Sequence, residues 1–241
     1  MESMLSTEEL STMVQHAIAL ALAVSPEEVT PDKRLIPELD AESIDFLDIT
    51  FRLEQMLPIS IPRDDLSEQA EDVFGANAAV DALRRLTPLG AYLVRERLTG
   101  IDPEQVQPKM LIEEIAPLWT VRTWEGLCQR LLDTIPDPCT ECGGARTFVR
   151  NDEGEYHAEC SGCHRELIGT PGDELNEQWF EEIKTLDIVE RLLSESREQA
   201  AEAEAEAQAE MDSWDTATPT AGEFEAQLPA AAQVAPGATT E

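Results

Sequence analysis

The sequence predicts a mainly α-helical chain that carries one small β element and ends in a long helix. Three observations carry that expectation. Apolar residues recur at three- and four-residue spacing in several stretches, which is the periodicity of one helix face. Hydrophobic residues make up 42% of the 241 residues while aromatic residues make up only 5%, a balance that suits small helical bundles. Four of the five cysteines fall in two Cys-x-x-Cys pairs 17 residues apart, a spacing that points to a metal held on a hairpin.

Ser6 or Thr7 opens the first helix, with Glu9 placed as a capping-box partner to Ser6 and Val14, Ile18, Ala21 and Leu22 on the buried face. His16 lies in this helix as a surface or boundary side chain. Ser25-Pro26-Glu27-Glu28 reads as a short capped turn with proline at the first helical position, and a loop through Pro31 and Pro37 follows. The next helix begins at Ser43. Phe46, Ile49 or Thr50, and Leu53 form its inward stripe, whereas Asp45, Asp48 and Glu54 fall away from it and are expected to face water. Ile44, Leu47 and Phe51 are apolar too, more than one core stripe requires. A serine ahead of such a run is most often an N-cap. The same position also suits a phosphate, because free N–H groups of the first turn and the helix dipole both favour an anion.

Asp64-Asp65-Leu66 and Val73 read as a short turn before a helix around residues 78–86. Thr87-Pro88 starts a further helix that Gly100 ends, with Leu89, Tyr92, Leu93 and Leu98 among its apolar positions. The stretch from Ile101 to Pro108 echoes that from Val24 to Pro31. A partial duplication and one capping device used twice explain the echo about equally well. Thr120-Val121 begins a helix through Leu131-Leu132, in which Cys128 reads as a buried small hydrophobe.

Cys139, Cys142, Cys160 and Cys163 bracket two segments, Arg146 to Arg150 and Glu155 to Glu159, that alternate enough to form a hairpin turned at Asp152-Glu153-Gly154. The arrangement resembles a zinc ribbon. Four thiolates leave no open coordination position, the pattern of a structural rather than a catalytic zinc. His164 is surplus to that set. A redox pair would come as one Cys-x-x-Cys in a βαβ pattern, which is absent here. Iron could fill a four-thiolate site, but zinc is the default for two paired knuckles. Beyond it, Trp179, Ile183, Leu186, Val189, Leu192 and Leu193 give residues 173–211 an apolar helical stripe that wants a partner. The Ala-Glu alternation after Ala200 has high helix propensity but no apolar face, so it is expected to fray, and residues 212–241 are expected to be disordered. The expected units are residues 1–135 with an insertion at about 67–118, then 136–172, 173–211 and 212–241.

The formal charge is −33, from 17 basic and 50 acidic residues. The stretch from Glu195 onward holds 11 acidic residues and one basic, so the rest still carries −23. So little positive charge cannot neutralise a phosphate backbone, and a nucleic-acid partner is excluded. An acidic body favours basic protein partners. No apolar run reaches the 18 residues or so of a membrane span, and Met1-Glu2-Ser3 carries no basic region of a signal peptide. With cysteines in metal-type pairs, a cytoplasmic location is expected.

The stretch Asp40-Ala41-Glu42-Ser43-Ile44-Asp45, continued by Asp48, Glu54 and Ile59-Ser60-Ile61-Pro62, resembles the serine helix of acyl carrier proteins. Thr120-Val121 resembles the start of that family's closing helix, so the likeness covers about residues 7–66 and 119–133. Glu42 departs from the aspartate usual there. The resemblance implies an acyl-carrier-like helical bundle in which Ser43 carries covalent 4′-phosphopantetheine, placed by a phosphopantetheinyl transferase. It further implies acyl intermediates held as thioesters for fatty acid, lipid or polyketide-type biosynthesis. Glu42, Asp45, Asp48 and Glu54 would meet basic patches on enzymes such as a ketosynthase or acyltransferase, and Ile44, Leu47 and Phe51 would add apolar contact. No nucleophile–base pairing and no phosphate-binding glycine loop is visible, so no enzyme activity is expected. The alternative is a non-catalytic zinc-binding interaction scaffold in which Ser43 is only a helix cap.

Overall fold

The computed structural model describes residues 5–217. The expected capping box forms: the Ser6 hydroxyl accepts the Glu9 N–H at 3.2 Å and Glu9 accepts the Ser6 N–H at 2.9 Å, opening α1 (Thr7–Leu22). Leu10, Val14, Ala17 and Ile18 are buried on one face, spaced as a helix stripe requires. That face packs against α3 (Ser43–Met56) and α6 (Val121–Asp133) around one core with Leu35, Ile49, Leu53, Trp124 and Leu131. Between α1 and α3 the sequence reading expected only loop, but Leu35–Leu39 forms a short α2. Pro37 is tolerated there because first-turn N–H groups have no partner within a helix anyway. The Leu35 N–H bonds to the Trp119 carbonyl at 3.0 Å and the Val121 N–H to that of Lys33 at 3.1 Å, which ties α2 to the start of α6.

The insertion differs from expectation. The predicted turn near Asp65 is a helix, α4 (Leu66–Phe74), capped by the Asp65 carboxylate accepting the Ser67 N–H at 2.7 Å. The helix predicted at 78–86 is absent. Its place is taken by a turn wrapped around buried Asp81, which accepts the Leu83 and Arg85 N–H groups, the Arg85 guanidinium and the Gln199 amide at 2.9–3.0 Å. Arg84 has φ of +60°, outside right-handed helix space. Thr87 and Pro88 then start α5 (Pro88–Arg97) as predicted, the Thr87 hydroxyl accepting the Gly90 N–H at 3.0 Å. A Cβ on Gly90 would lie 1.9 Å from the Ala79 carbonyl oxygen, so only glycine lets α5 rest directly on that turn. The two echoing stretches adopt the same local form: single 3₁₀ turns at Pro26–Glu28 and Pro103–Gln105, each followed by a fully buried valine, Val29 and Val106.

The C-terminal part is two helices, not one across 173–211. α7 (Gly172–Ile183) stops before Leu186, and α8 (Asp187–Ala217) runs six residues past the predicted end. Phe180, Ile183 and Val189 close a second core against Phe74, Leu89 and Leu93, so the partner of the apolar stripe is the insertion. The Ala-Glu tract is not frayed. Ala200 and Ala203 are buried, Gln199 reaches Asp81, Glu204 accepts from Asn77 at 3.0 Å and Glu206 pairs with Arg85 at 3.2 Å. Small alanines supply close approach where the pattern showed no large apolar residue. The remainder of the tail expected to be disordered, residues 218–241, lies outside the described residues.

β1 (Arg146–Arg150) and β2 (Tyr156–Cys160) form the expected antiparallel hairpin, with Arg146 opposite Cys160 and Phe148 opposite Ala158. Phe148, Ala158 and Leu167 face inward and belong to the same core as α1, α3 and α6. Arg146 Nη1 donates to the Leu132 and Ile135 carbonyls at 3.0 and 2.8 Å, tying the hairpin to the end of α6 and the residues just past it. No described helix is long and apolar enough to cross a membrane.

Candidate functional site

Ser43 is the first residue of α3, not its cap. The cap position is Glu42, whose N–H donates to the Asp45 carboxylate at 2.8 Å. The Ser43 side chain is exposed at the helix's positive end. Its hydroxyl thus stands where an incoming phosphate meets both solvent access and a favourable dipole. The expectation that Ser43 serves only as a helix cap does not hold, since the neighbouring pair Glu42–Asp45 does that work.

Downstream of Ser43, Phe46, Ile49, Thr50 and Leu53 turn inward as expected, with Phe46 5.8 Å from the Trp119 ring and 6.0 Å from that of Trp124. Ile44, Leu47 and Phe51 lie on the opposite side and are 63%, 61% and 56% exposed. Their spacing places them along one stripe, and they are three of the eight large apolar side chains left exposed among the described residues. The acids depart from the expectation that they face water freely. All three are half-buried and engaged: Asp45 in the cap, Asp48 with Arg52 at 2.8 Å, and Glu54 accepting the Ile61 N–H at 2.8 Å while paired with Arg63. Glu54 therefore anchors the chain leaving α3. Asp48 keeps more access, and Glu42 is exposed at the serine's side.

The four paired cysteines converge at the base of the hairpin, their Sγ atoms all within 4.8 Å of one another. Cys139 and Cys163 are 4.0 Å apart and Cys142 and Cys160 3.3 Å, too far for disulfides, whose S–S bond is about 2.05 Å. Ligands at about 2.3 Å around a tetrahedral zinc would lie roughly 3.8 Å apart, so the donor set fits. The Gly144 and Gly162 N–H groups point at Cys142 and Cys160 at 3.4 and 3.3 Å, as negative sulfur requires. N–H groups of Cys163 and Gly162 hold the Cys160 thiol down to about 6. His164 stays outside, its ring 3.4 Å from Glu159. Cys128 is fully buried, which pushes its thiol up to about 12 and leaves it inert.

An apolar cavity of about 380 Å³ lies beside α3, between the bundle and the insertion. Phe46 and Leu47 form part of its wall, as do Leu93, Trp119 and Trp124. The sequence pattern put Phe46 on the inward stripe and Leu93 among the apolar positions of its helix, but periodicity could not show a gap beside them.

Comparison with known proteins identifies the family. Residues 14–73, which include Ser43 and all of α3, match the phosphopantetheine attachment site family. The chain is 32% identical over 74 residues to an acyl carrier protein of Rubrobacter xylanophilus, covering 31% of this chain and 86% of that protein. An acyl carrier protein of Amoebophilus asiaticus is 32% identical over 77 residues, 32% of this chain and 91% of its own length. A meromycolate extension acyl carrier protein of Mycolicibacterium smegmatis is 28% identical over 93 residues, 39% of this chain and 93% of its own. No solved structure matches the chain. With most of the length of these relatives covered, and a solvent-facing serine at the head of the matched helix, this chain belongs to the acyl carrier protein family.

Proposed function

We propose that Ser43 is the attachment point of 4′-phosphopantetheine and that the protein is a carrier rather than a catalyst. The observation that carries this is the placement of an exposed Ser43 as the first residue of α3 with the cap supplied by its neighbours. When attached, the group supplies a terminal thiol that holds acyl chains as thioesters. The chain's own residues do the rest. α3 presents the hydroxyl and favours a phosphate beside it. Ile44, Leu47 and Phe51 offer an apolar patch to a phosphopantetheinyl transferase and then to acyl-processing enzymes, with Glu42, Asp45 and Asp48 around it to meet basic residues. Glu54, committed to Arg63 and the Ile61 N–H, serves the fold. The pathway is biosynthetic, of fatty acid, lipid or polyketide type, in the cytoplasm, and the four cysteines hold a structural zinc.

Incubating the protein with a phosphopantetheinyl transferase and coenzyme A tests the reading. Intact mass is expected to rise by one phosphopantetheine, and Ser43→Ala to abolish the gain. A wild-type mass unchanged by several transferases refutes the attachment role and leaves the scaffold reading.

A further inference from the structure

The cavity beside α3 is apolar along most of its wall but carries two arginines. Phe46 and Leu47, one turn beyond Ser43, form one end. Pro62, past the end of α3, and Asn176 of α7 line the cavity toward the other. Pro62 packs on Gly172 so closely that a Cβ there would lie 2.3 Å from the proline ring. Gly172 is one turn from Asn176, and Arg97 donates its Nε to Asn176 Oδ1 at 2.8 Å. Glu54, which accepts the Ile61 N–H next to Pro62, is 11 residues from Ser43, about 16 Å at a rise of 1.5 Å per residue, so the side of the cavity lined by Pro62, Asn176 and Arg97 lies away from the serine. Arg130, in the last turn of α6, lines the cavity too.

Both guanidiniums are half-buried, and neither has a carboxylate within 4 Å among the described residues. Asp64 and Asp65 also line the wall, but they are exposed and do not pair with either arginine. Arg97 rests over the Trp179 ring at 5.0 Å, but in a chain with 50 acidic residues the lack of a carboxylate bound to either arginine stands out, because buried charge is costly unless paired. Burial lowers both pKa values, to about 10 for Arg97, where repulsion from Arg130 adds to it and a weaker attraction from Glu182 opposes it. Both remain charged at neutral pH, and an anion between them would relieve that stress. Arginine's planar fork is shaped for a carboxylate. At the serine end, Trp124 has a buried Nε1–H with no acceptor, and a thioester or amide carbonyl entering there is an acceptor.

We propose that this cavity receives the acyl chain borne by the protein's own thioester, and that Arg97 and Arg130 bind a carboxylate at the chain's distal end. The substrate class is thus an ω-carboxyacyl group, a dicarboxylic acid held through one end. The assignment rests on the carrier reading above.

The test loads the full chain, through a transferase, with octanoyl- or suberyl-coenzyme A, which have equal chain length and differ in the distal carboxylate. Thioester cleavage by hydroxylamine and the thermal midpoint are then measured. The suberyl form is expected to melt higher and to lose its acyl group about tenfold more slowly, the size of one hydrogen bond to a charged group. Arg130→Gln and Arg97→Gln are each expected to shrink that difference, with loading by intact mass unchanged. Arg130→Lys, which keeps the charge and the packing stem, is expected to restore part of it. Octanoyl protection equal to or above suberyl protection in the wild type overturns the proposal. So does a full difference persisting in the folded double glutamine variant. A free carboxylic acid could offer the same chemistry. If Ser43→Ala protein shows as large a midpoint rise with free octanoate as loading with suberate gives, the occupant is a free acid and the thioester assignment is wrong. Failure to load at all shows separately as an unchanged mass, and overturns the carrier reading together with this one.

Discussion

Two helices of this protein carry more apolar surface than one core stripe needs, and the fold treats them in opposite ways. α8 has Val189, Leu192 and Leu193 packed into the second core, where it lies against α5, and even its alanine tract is closed over by Asp81, Arg85 and Asn77. α3 has Ile44, Leu47 and Phe51 left open to water beside Ser43. Apolar surface that could be buried but is left out beside Ser43 is what the proposed docking face requires. The contrast teaches that amphipathic excess has no meaning by itself. What separates structure from function is whether the same chain supplies a cover.

The largest effect is expected at the proposed zinc site, where the chain again supplies its own cover. Structural zinc contributes on the order of 10 kcal/mol to folding of small domains, so stripping the metal should unfold the hairpin. Because Phe148, Ala158 and Leu167 share the bundle's core, the melting of α1 and α6 is expected to drop as well, seen by far-UV circular dichroism after chelation. Elemental analysis finding no stoichiometric metal would defeat this. Next comes the covered stripe. Phe180 is fully buried, 5.8 Å edge-on to Phe74, and Phe180→Ala is expected to cost about 3–5 kcal/mol in denaturant unfolding.

A smaller effect concerns the cover's polar lock. Burial alone would raise the Asp81 pKa, but the bonds from Arg85, Gln199 and Leu83 outweigh it and hold the carboxyl below its ordinary 3.8. A lowered folded-state pKa stabilises above 3.8 and is lost as pH falls through the folded value. Amide exchange around Gln199 should therefore quicken below pH 3.8, and Asp81→Asn should flatten that step. An identical pH response in the variant would remove Asp81 from the account.

The open face should respond in the reverse manner. Phe51→Ala is expected to change stability by less than about 0.5 kcal/mol while raising the transferase off-rate, because apolar burial is not screened by salt. Reversing Asp45 and Asp48 to lysine should lower the on-rate at low salt. The effect should fade as the Debye length falls from about 10 Å at 0.1 M to about 3 Å at 1 M. Each exposed pair is worth only about 0–1 kcal/mol, so this is the smallest effect. Stopped-flow binding that gives wild-type rates for the double reversal at both salt levels would show that these acids serve only the helix itself, through its cap, its Arg52 pair and its solubility.

What the sequence revealed follows the range of the forces involved. Caps at Ser6 and Thr87, the stripes of α1, α3 and α6, and the cysteine knuckles are set by residues within a turn of one another, and periodicity exposes them. The stretch 78–86 misled because its alanines and leucines read as helix, whereas its turn around Asp81 is locked by distant partners, Met110 and Ile112 through the backbone and Gln199, 118 residues away from Asp81. The Ala-Glu tract misled for the same reason: alanine's value there lies in letting a distant segment come close. Ser43 was legible, but that Glu42 and Asp45 would take over its capping role was not. Nor was the pairing of Glu54 with Arg63. The cavity was invisible, since apolar periodicity reports which side chains turn inward and not whether they meet.

The grip of Arg146 on the Leu132 and Ile135 carbonyls bears on how this chain can be cut and joined. In sequence the carrier region closes near residue 135, and a graft into another protein would naturally end there. Such a graft would remove the guanidinium from the Leu132 and Ile135 carbonyls and would uncover the core surface that Phe148 and Leu167 shield. The transferable unit therefore runs through Leu167. Evolution or an engineer moving this carrier between assemblies must move its thiolate hairpin with it.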